Sequence, residues 1–183
     1  MPGKIWEHLY DVALDRYGFV TSRDAKERGL PATYLGVMKS RGLLEHIGYG
    51  LYRFPQVPVT DRTPLMEAVL WVGKDAALSH DAVLDLHDLA FVNPRTIRVV
   101  TPHRVRRTQP PPGDITIIQD ELPGEHLTSY FGIPSTTVAR ALVDCRGLVM
   151  DSRLREAAEA ARVEGLLLAS ELDWVLDQRR SDR

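Results

Sequence analysis

The chain has 183 residues, 44% hydrophobic and 26% charged, which are ordinary globular values that exclude wholesale disorder and fibrous repeats. Its 23 Lys and Arg against 25 Asp and Glu leave a formal net charge of -2, so any nucleic-acid surface must be local rather than global. A single cysteine, Cys145, excludes an internal disulfide and a multi-thiolate zinc site and fits a reducing cytoplasm. No stretch reaches the roughly 20 apolar residues of a membrane helix, and the amphipathic start after Lys4 is unlike a secretory signal.

Along the chain, Ile5, Leu9, Val12 and Leu14 recur near the helical period and stop at Tyr17-Gly18, which predicts a first helix. Thr21 or Ser22 caps a short second helix through Arg28, with Gly29 closing it. Pro31 opens a third helix to Gly42, so the two short helices meet across a tight turn. Leu43–Ile47 and Leu51–Phe54 around Gly48-Tyr49-Gly50 read as a hairpin. Three helices followed by a hairpin is the order of a winged helix-turn-helix. Charge then changes: residues 1–54 carry +2, residues 55–94 carry -4, residues 95–107 carry +5 and residues 108–183 carry -5. Pro55 and Pro58 bracket the first change and read as a linker. Beyond it, helices are expected from Pro64 to Val72 and from a Ser79 cap through Leu86-His87, and strands at Thr96–Val100 and Ile115–Ile118. The end reads as helical, with starts at Ser135, at Asp151 or Ser152, and at Ser170, the last running to Leu176. The fold class expected is α+β: an N-terminal winged helix-turn-helix over 1–56 and a small mixed α/β domain with a helical C-terminus over 59–183.

On a helical wheel the third helix puts Ala32, Leu35, Met38 and Gly42 on one side. Thr33, Gly36, Val37, Ser40 and Arg41 fall opposite, with Tyr34 and Lys39 on the flanks. That outward face is small, hydroxyl-bearing and cationic. Small residues allow close approach to a major groove, Thr and Val can touch a thymine methyl, and Arg can bond guanine. Thr21 and Ser22 at the start of the second helix, and Tyr49 and Arg53 on the hairpin, complete the candidate DNA surface. A module charge of +2 is weak for a polyanion, so a homodimer on DNA is the expected remedy.

These residues carry a resemblance. Gly18-Phe19-Val20-Thr21, then Tyr34-Leu35-Gly36-Val37-Met38-Lys39-Ser40-Arg41-Gly42-Leu43, then Gly48-Tyr49-Gly50-Leu51-Tyr52-Arg53 resemble the winged helix of the AbiEi family of bacterial antitoxins. Leu78-Ser79-His80-Asp81-Ala82-Val83 with Leu86-His87-Asp88-Leu89, then Asn93-Pro94, Ile97–Pro102, and Gly132–Thr137 with Arg140–Asp144, resemble the later blocks of that family in order. The resemblance implies an antitoxin that binds its own promoter at an inverted repeat, represses its operon, and counters a nucleotidyltransferase toxin of the AbiEii type, directly or indirectly. No cofactor is implied.

Other chemistry finds little support. His80 and His87 are seven residues apart, too far for a two-histidine zinc grip at i and i+4. Gly48-x-Gly50 lacks the following helix of a phosphate loop. A restriction-like nuclease needs an acid-x-Lys pair, yet the last lysine is Lys74, ahead of either predicted strand. No catalytic or metal residue is therefore assigned. Arg95, Arg98, Arg104, Arg106 and Arg107 form a cationic run, read as contacting either DNA phosphates or an acidic partner. With Arg140, Asp144 and Arg153 they make the candidate toxin-facing set. The rival reading is a free-standing winged-helix regulator whose second domain binds a small effector.

Overall fold

The structure, a computed structural model, describes residues 4–31, 33–89, 95–106, 108–172 and 174–175. Ala32, Asn93-Pro94, Arg107 and the expected helix end at Leu176 lie outside the described residues, as does the Ile5 side chain. The chain divides into two compact units, residues 1–74 with 105–113, and residues 75–104 with 114–183.

The first unit runs α1 (Lys4–Leu14), β1 (Phe19–Thr21), α2 (Ser22–Glu27), α3 (Tyr34–Ser40), β2 (Glu45–Gly48), β3 (Leu51–Arg53) and α4 (Thr63–Val72). Its antiparallel sheet has the order β1-β3-β2, with Val20 opposite Tyr52 and Glu45 opposite Arg53. This is a winged helix. β1 escapes the sequence reading because three residues are too few to show alternation. The apolar stripe of α1 is also narrower than expected: Leu9 and Ala13 are buried, whereas Leu14 is 52% exposed. Leu14 stands five positions after Leu9, about 140° round the helix.

Local stop signals work as the glycines suggest. At the end of α2, Leu30 N donates to the Ala25 carbonyl at 3.0 Å and Gly29 N to that of Lys26 at 2.9 Å, with Gly29 at φ 69°. At the end of α3, Leu43 N donates to Met38 and Gly42 N to Lys39, both at 3.0 Å. Both are Schellman closures, which satisfy carbonyls the helix would otherwise leave bare. α3 nonetheless begins at Tyr34 rather than Pro31, so the turn between α2 and α3 is longer than expected. The core gathers Leu9, Ala13, Val20, Ala25, Leu35, Met38, Leu44 and Phe54. Trp6 and Tyr10 stack at 4.8 Å and both meet Phe54 edge-on, geometries that aromatic rings favour.

α4 belongs to this unit, which moves the boundary from the Pro55–Pro58 segment to Lys74/Asp75. A Cβ on Gly48 would stand 3.3 Å from Trp71 Cδ1, so the wing packs closely on α4. Proline spacing alone does not carry that contact.

The second unit contains β4 (Ala77–Leu78), α5 (Asp81–Leu86), β5 (Ile97–Thr101), β6 (Ile115–Gln119), β7 (Leu127–Tyr130), β8 (Ile133–Thr136), α6 (Val138–Asp144) and α7 (Asp151–Val163). The sheet order is β6-β5-β4-β8-β7; β6 runs parallel to β5, β8 parallel to β4, and the other pairs are antiparallel. Leu78, Val99, Ile133, Leu142 and Leu154 form buried parts of this unit. Two expectations are corrected here. Ser135 lies in β8, not at a helix start, and Thr137 caps α6 by accepting from Arg140 N at 3.2 Å. Ser79 does not cap α5 either: His80 is the N-cap, without a side-chain cap bond, and Ser79 is fully buried with its N–H donated to the Arg98 carbonyl at 3.0 Å. Sheet pairing claims both serines.

Candidate nucleic-acid interface

α3 divides as its periodicity predicts. Leu35 and Met38 are buried, while Thr33, Lys39, Ser40 and Arg41 are exposed and Val37 is 43% exposed. Gly36 and Tyr34 are half-buried, Tyr34 packing on the core. Thr33 makes no side-chain cap bond to α3, and Ser40 Oγ donates back to the Val37 carbonyl at 2.8 Å. The outward surface thus combines a β-branched methyl pair with two cations and carries no acid. At the wing tip Tyr49 is 78% exposed between Gly48 and Gly50, the latter at φ 69°.

Other residues of the expected surface are committed internally. Thr21 Oγ1 donates to Asp24 Oδ2 at 2.7 Å and accepts from Asp24 N at 3.2 Å, while Thr21 N donates to the same carboxylate at 2.7 Å. This reciprocal capping box starts α2. Asp24 is buried and also paired with Arg16 at 2.8 Å, so its charge is compensated. Ser22 N donates to the Gly50 carbonyl at 2.8 Å and its side chain packs beside Gly50, fixing the wing to α2. Arg53 is the clear correction. It is buried, its Nη2 donates to the Val57 carbonyl, and its Nη1 stands 3.6 Å from Glu45 Oε2. Burial raises the Glu67 carboxyl above its ordinary value, and the Arg53 guanidinium opposes that rise. Arg53 therefore belongs to the core side of the hairpin, not to a phosphate. Conversely, Arg23 and Lys26 are exposed on α2, three residues apart and hence on one face. A helical wheel of α2 would have found them.

The cationic run does not form one patch of one unit. Arg95, Arg98 and Arg104 fall in the second unit and Arg106 in the first. Arg95, Arg104 and Arg106 are exposed. Arg98 is half-buried and pairs through Nη1 with Asp81 Oδ2 at 2.5 Å. Arg140 and Asp144 are likewise tied to each other, at 2.8 Å, with Arg140 Nη2 3.4 Å from Asp120 and Asp144 4.0 Å from His80 Nδ1. Desolvation lowers the His80 pKa, the Asp144 carboxylate opposing it. His80 also holds φ 56°, ψ -136°, a strained conformation for a residue with a side chain. Arg153 is exposed on α7. Cys145 is buried, and that burial pushes its thiol up, which favours the protonated form. Among the described residues no three His, Cys, Asp or Glu side chains gather to hold a metal ion, and no helix is long and apolar enough to cross a membrane.

No curated protein matches this chain. The later motif blocks, from Leu78 to Asp144, lie beyond the segment that a family model matches. That segment is the winged helix: residues 7–55 match the family described as transcriptional regulator, AbiEi antitoxin, the family that the motifs of the sequence resemble.

Proposed function

We propose that this protein is an operon autorepressor and antitoxin in which the first unit binds promoter DNA and the second counters a cognate nucleotidyltransferase toxin. The observation that supports DNA binding is the face of α3: Leu35 and Met38 lock the helix to the core while Thr33, Val37, Lys39, Ser40 and Arg41 stand outward. Laid in a major groove, Val37 and Thr33 contact thymine methyls and Arg41 bonds a guanine edge. Lys39, Arg23 and Lys26 contact phosphates, and Tyr49 carries the wing to the backbone or the minor groove. In the second unit, exposed Arg95, Arg104 and Arg153 present cations to an acidic surface of the toxin.

The test is an electrophoretic shift on the DNA upstream of the gene. Lys39→Ala with Arg41→Ala weakens binding by about 1–3 kcal/mol and relaxes sequence preference. Parent and variant binding equally would remove α3 from the mechanism. For the toxin, Arg95→Ser with Arg104→Ser impairs rescue of a co-expressed toxin in growth assays while leaving the shift intact; unimpaired rescue overturns that assignment.

A further inference from the structure

Among the described residues β6 ends the strand order of the five-stranded sheet, and its register shows which backbone groups face away from β5. Ile97 N donates to the Asp114 carbonyl at 2.7 Å and Asp120 N to the Thr101 carbonyl at 3.1 Å. A strand residue turns its N–H and C=O to one side and its neighbour turns them to the other. Asp114, Thr116, Ile118 and Asp120 therefore face β5, and Ile115, Ile117 and Gln119 direct their groups away from it. Ile117 and Gln119 are exposed. Proteins normally blunt such an edge with proline, charge or a bulge. The sequence Ile-Thr-Ile-Ile-Gln contains neither proline nor charge, and its pairing with β5 runs without a register shift.

We propose that β6 pairs antiparallel with β6 of a second copy about a two-fold axis through Ile117, joining two five-stranded sheets into one. The edge is self-complementary in this register. Ile117 falls opposite Ile117 and Ile115 opposite Gln119, so every outward group is used, in about six hydrogen bonds. A one-residue slip would present groups that already bond β5. Thr116 meets Ile118 across the seam, a β-branched pair suited to a pleated surface. At each end Asp114 comes opposite Asp120, which by themselves would repel. Asp120 already has a counter-charge, since Arg140, bonded through Nε to Asp144, holds its Nη2 3.4 Å from Asp120, and this weakens that repulsion. The pairing stands on the sheet edge alone; its use in placing two winged helices on an inverted repeat rests on the operator-binding reading above.

Light scattering and sedimentation of the full chain at tens of micromolar are expected to give twice the 20.6 kDa monomer. Ile117→Pro removes only an outward N–H and leaves the β5 ladder whole. Ile117→Lys places like charges on the two-fold axis. Each is expected to raise the dimer dissociation constant by at least about ten-fold, with unchanged circular dichroism. Directly opposed residues here have Cα atoms about 5.5 Å apart, within disulfide reach, so Ile117→Cys crosslinks to itself under mild oxidation while buried Cys145 stays inert. A monomeric parent, or a dimer indifferent to all three changes, overturns the proposal. So does a monomer in which Ile117→Lys blocks toxin capture, since the edge then serves another protein. A dimer that satisfies these tests yet shifts no upstream DNA would refute the operator reading and leave the pairing in place.

Discussion

Arg53 donates through Nη2 to the carbonyl oxygen of Val57, so a cation on the wing hairpin is an internal tie between β3 and the segment that follows it. Removing the guanidinium leaves that carbonyl and the nearby Glu45 and Glu67 without their donor or counter-charge. Arg53→Ala is expected to lower stability by about 1–3 kcal/mol, measured by chemical denaturation. Operator affinity of the folded fraction stays close to that of the parent; a large loss of affinity with unchanged stability would return Arg53 to the DNA surface.

Asp24 serves the start of α2 from a buried position, bonded to Thr21 N, Thr21 Oγ1 and Arg16. Asp24→Ala is expected to cost about 1–3 kcal/mol, and Thr21→Ala about 1. Because both act in one capping box, the double variant should lose less than the two losses added. Strict additivity in that denaturation cycle would show that the box is not a unit.

Salt dependence separates the two groups of cations. Each DNA phosphate neutralised contributes a slope of about -0.9 in log affinity against log salt. Lys39→Ala with Arg41→Ala is expected to flatten the operator slope by about one to two units. Arg95→Ser with Arg104→Ser, both in the second unit, should change it by less than about one. A larger change for the second pair would put those arginines on DNA rather than on the toxin.

His80 supplies a pH signature. Its pKa lies below 6.5 in the fold, chiefly through desolvation, with Arg98 and Arg140 adding to the effect and Asp144 and Asp81 opposing it. As pH falls below 6.5 the unfolded chain takes up this proton before the folded one, so stability declines toward the folded pKa and then levels. Glu67 and Asp85, both raised by burial, act oppositely at lower pH, losing stabilisation as pH rises through their folded pKa values. His80→Gln is therefore expected to reduce the loss of stability between pH 7 and about 5.5. An unaltered pH profile of melting temperature would refute the assignment.

Much of the first unit is legible because its signals are local. The Thr21 and Asp24 spacing, the positive-φ glycines 29 and 42, and the period of Leu35 and Met38 act within a few residues. The outward set Val37, Lys39, Ser40 and Arg41 follows from the same periodicity. Arg53 was not legible, because alternation along a three-residue strand cannot tell which face meets Val57 and Glu45.

By itself, then, the amino-acid order determined the three helices of the winged helix, their stops, the hairpin after them and the exposed face of α3, since capping, turn chemistry and helical period are short-range forces. Only tertiary structure decided that Lys74/Asp75 divides the units, that Ser79 and Ser135 serve the sheet rather than cap helices, and that Arg98 and Arg140 are bound to acids. β4, β7 and β8 became strands through their partners, and among the described residues β6 stands at the end of the sheet order. Those outcomes depend on pairing between residues far apart in the chain, where the hydrogen-bond partner, and not the local side-chain pattern, selects the conformation.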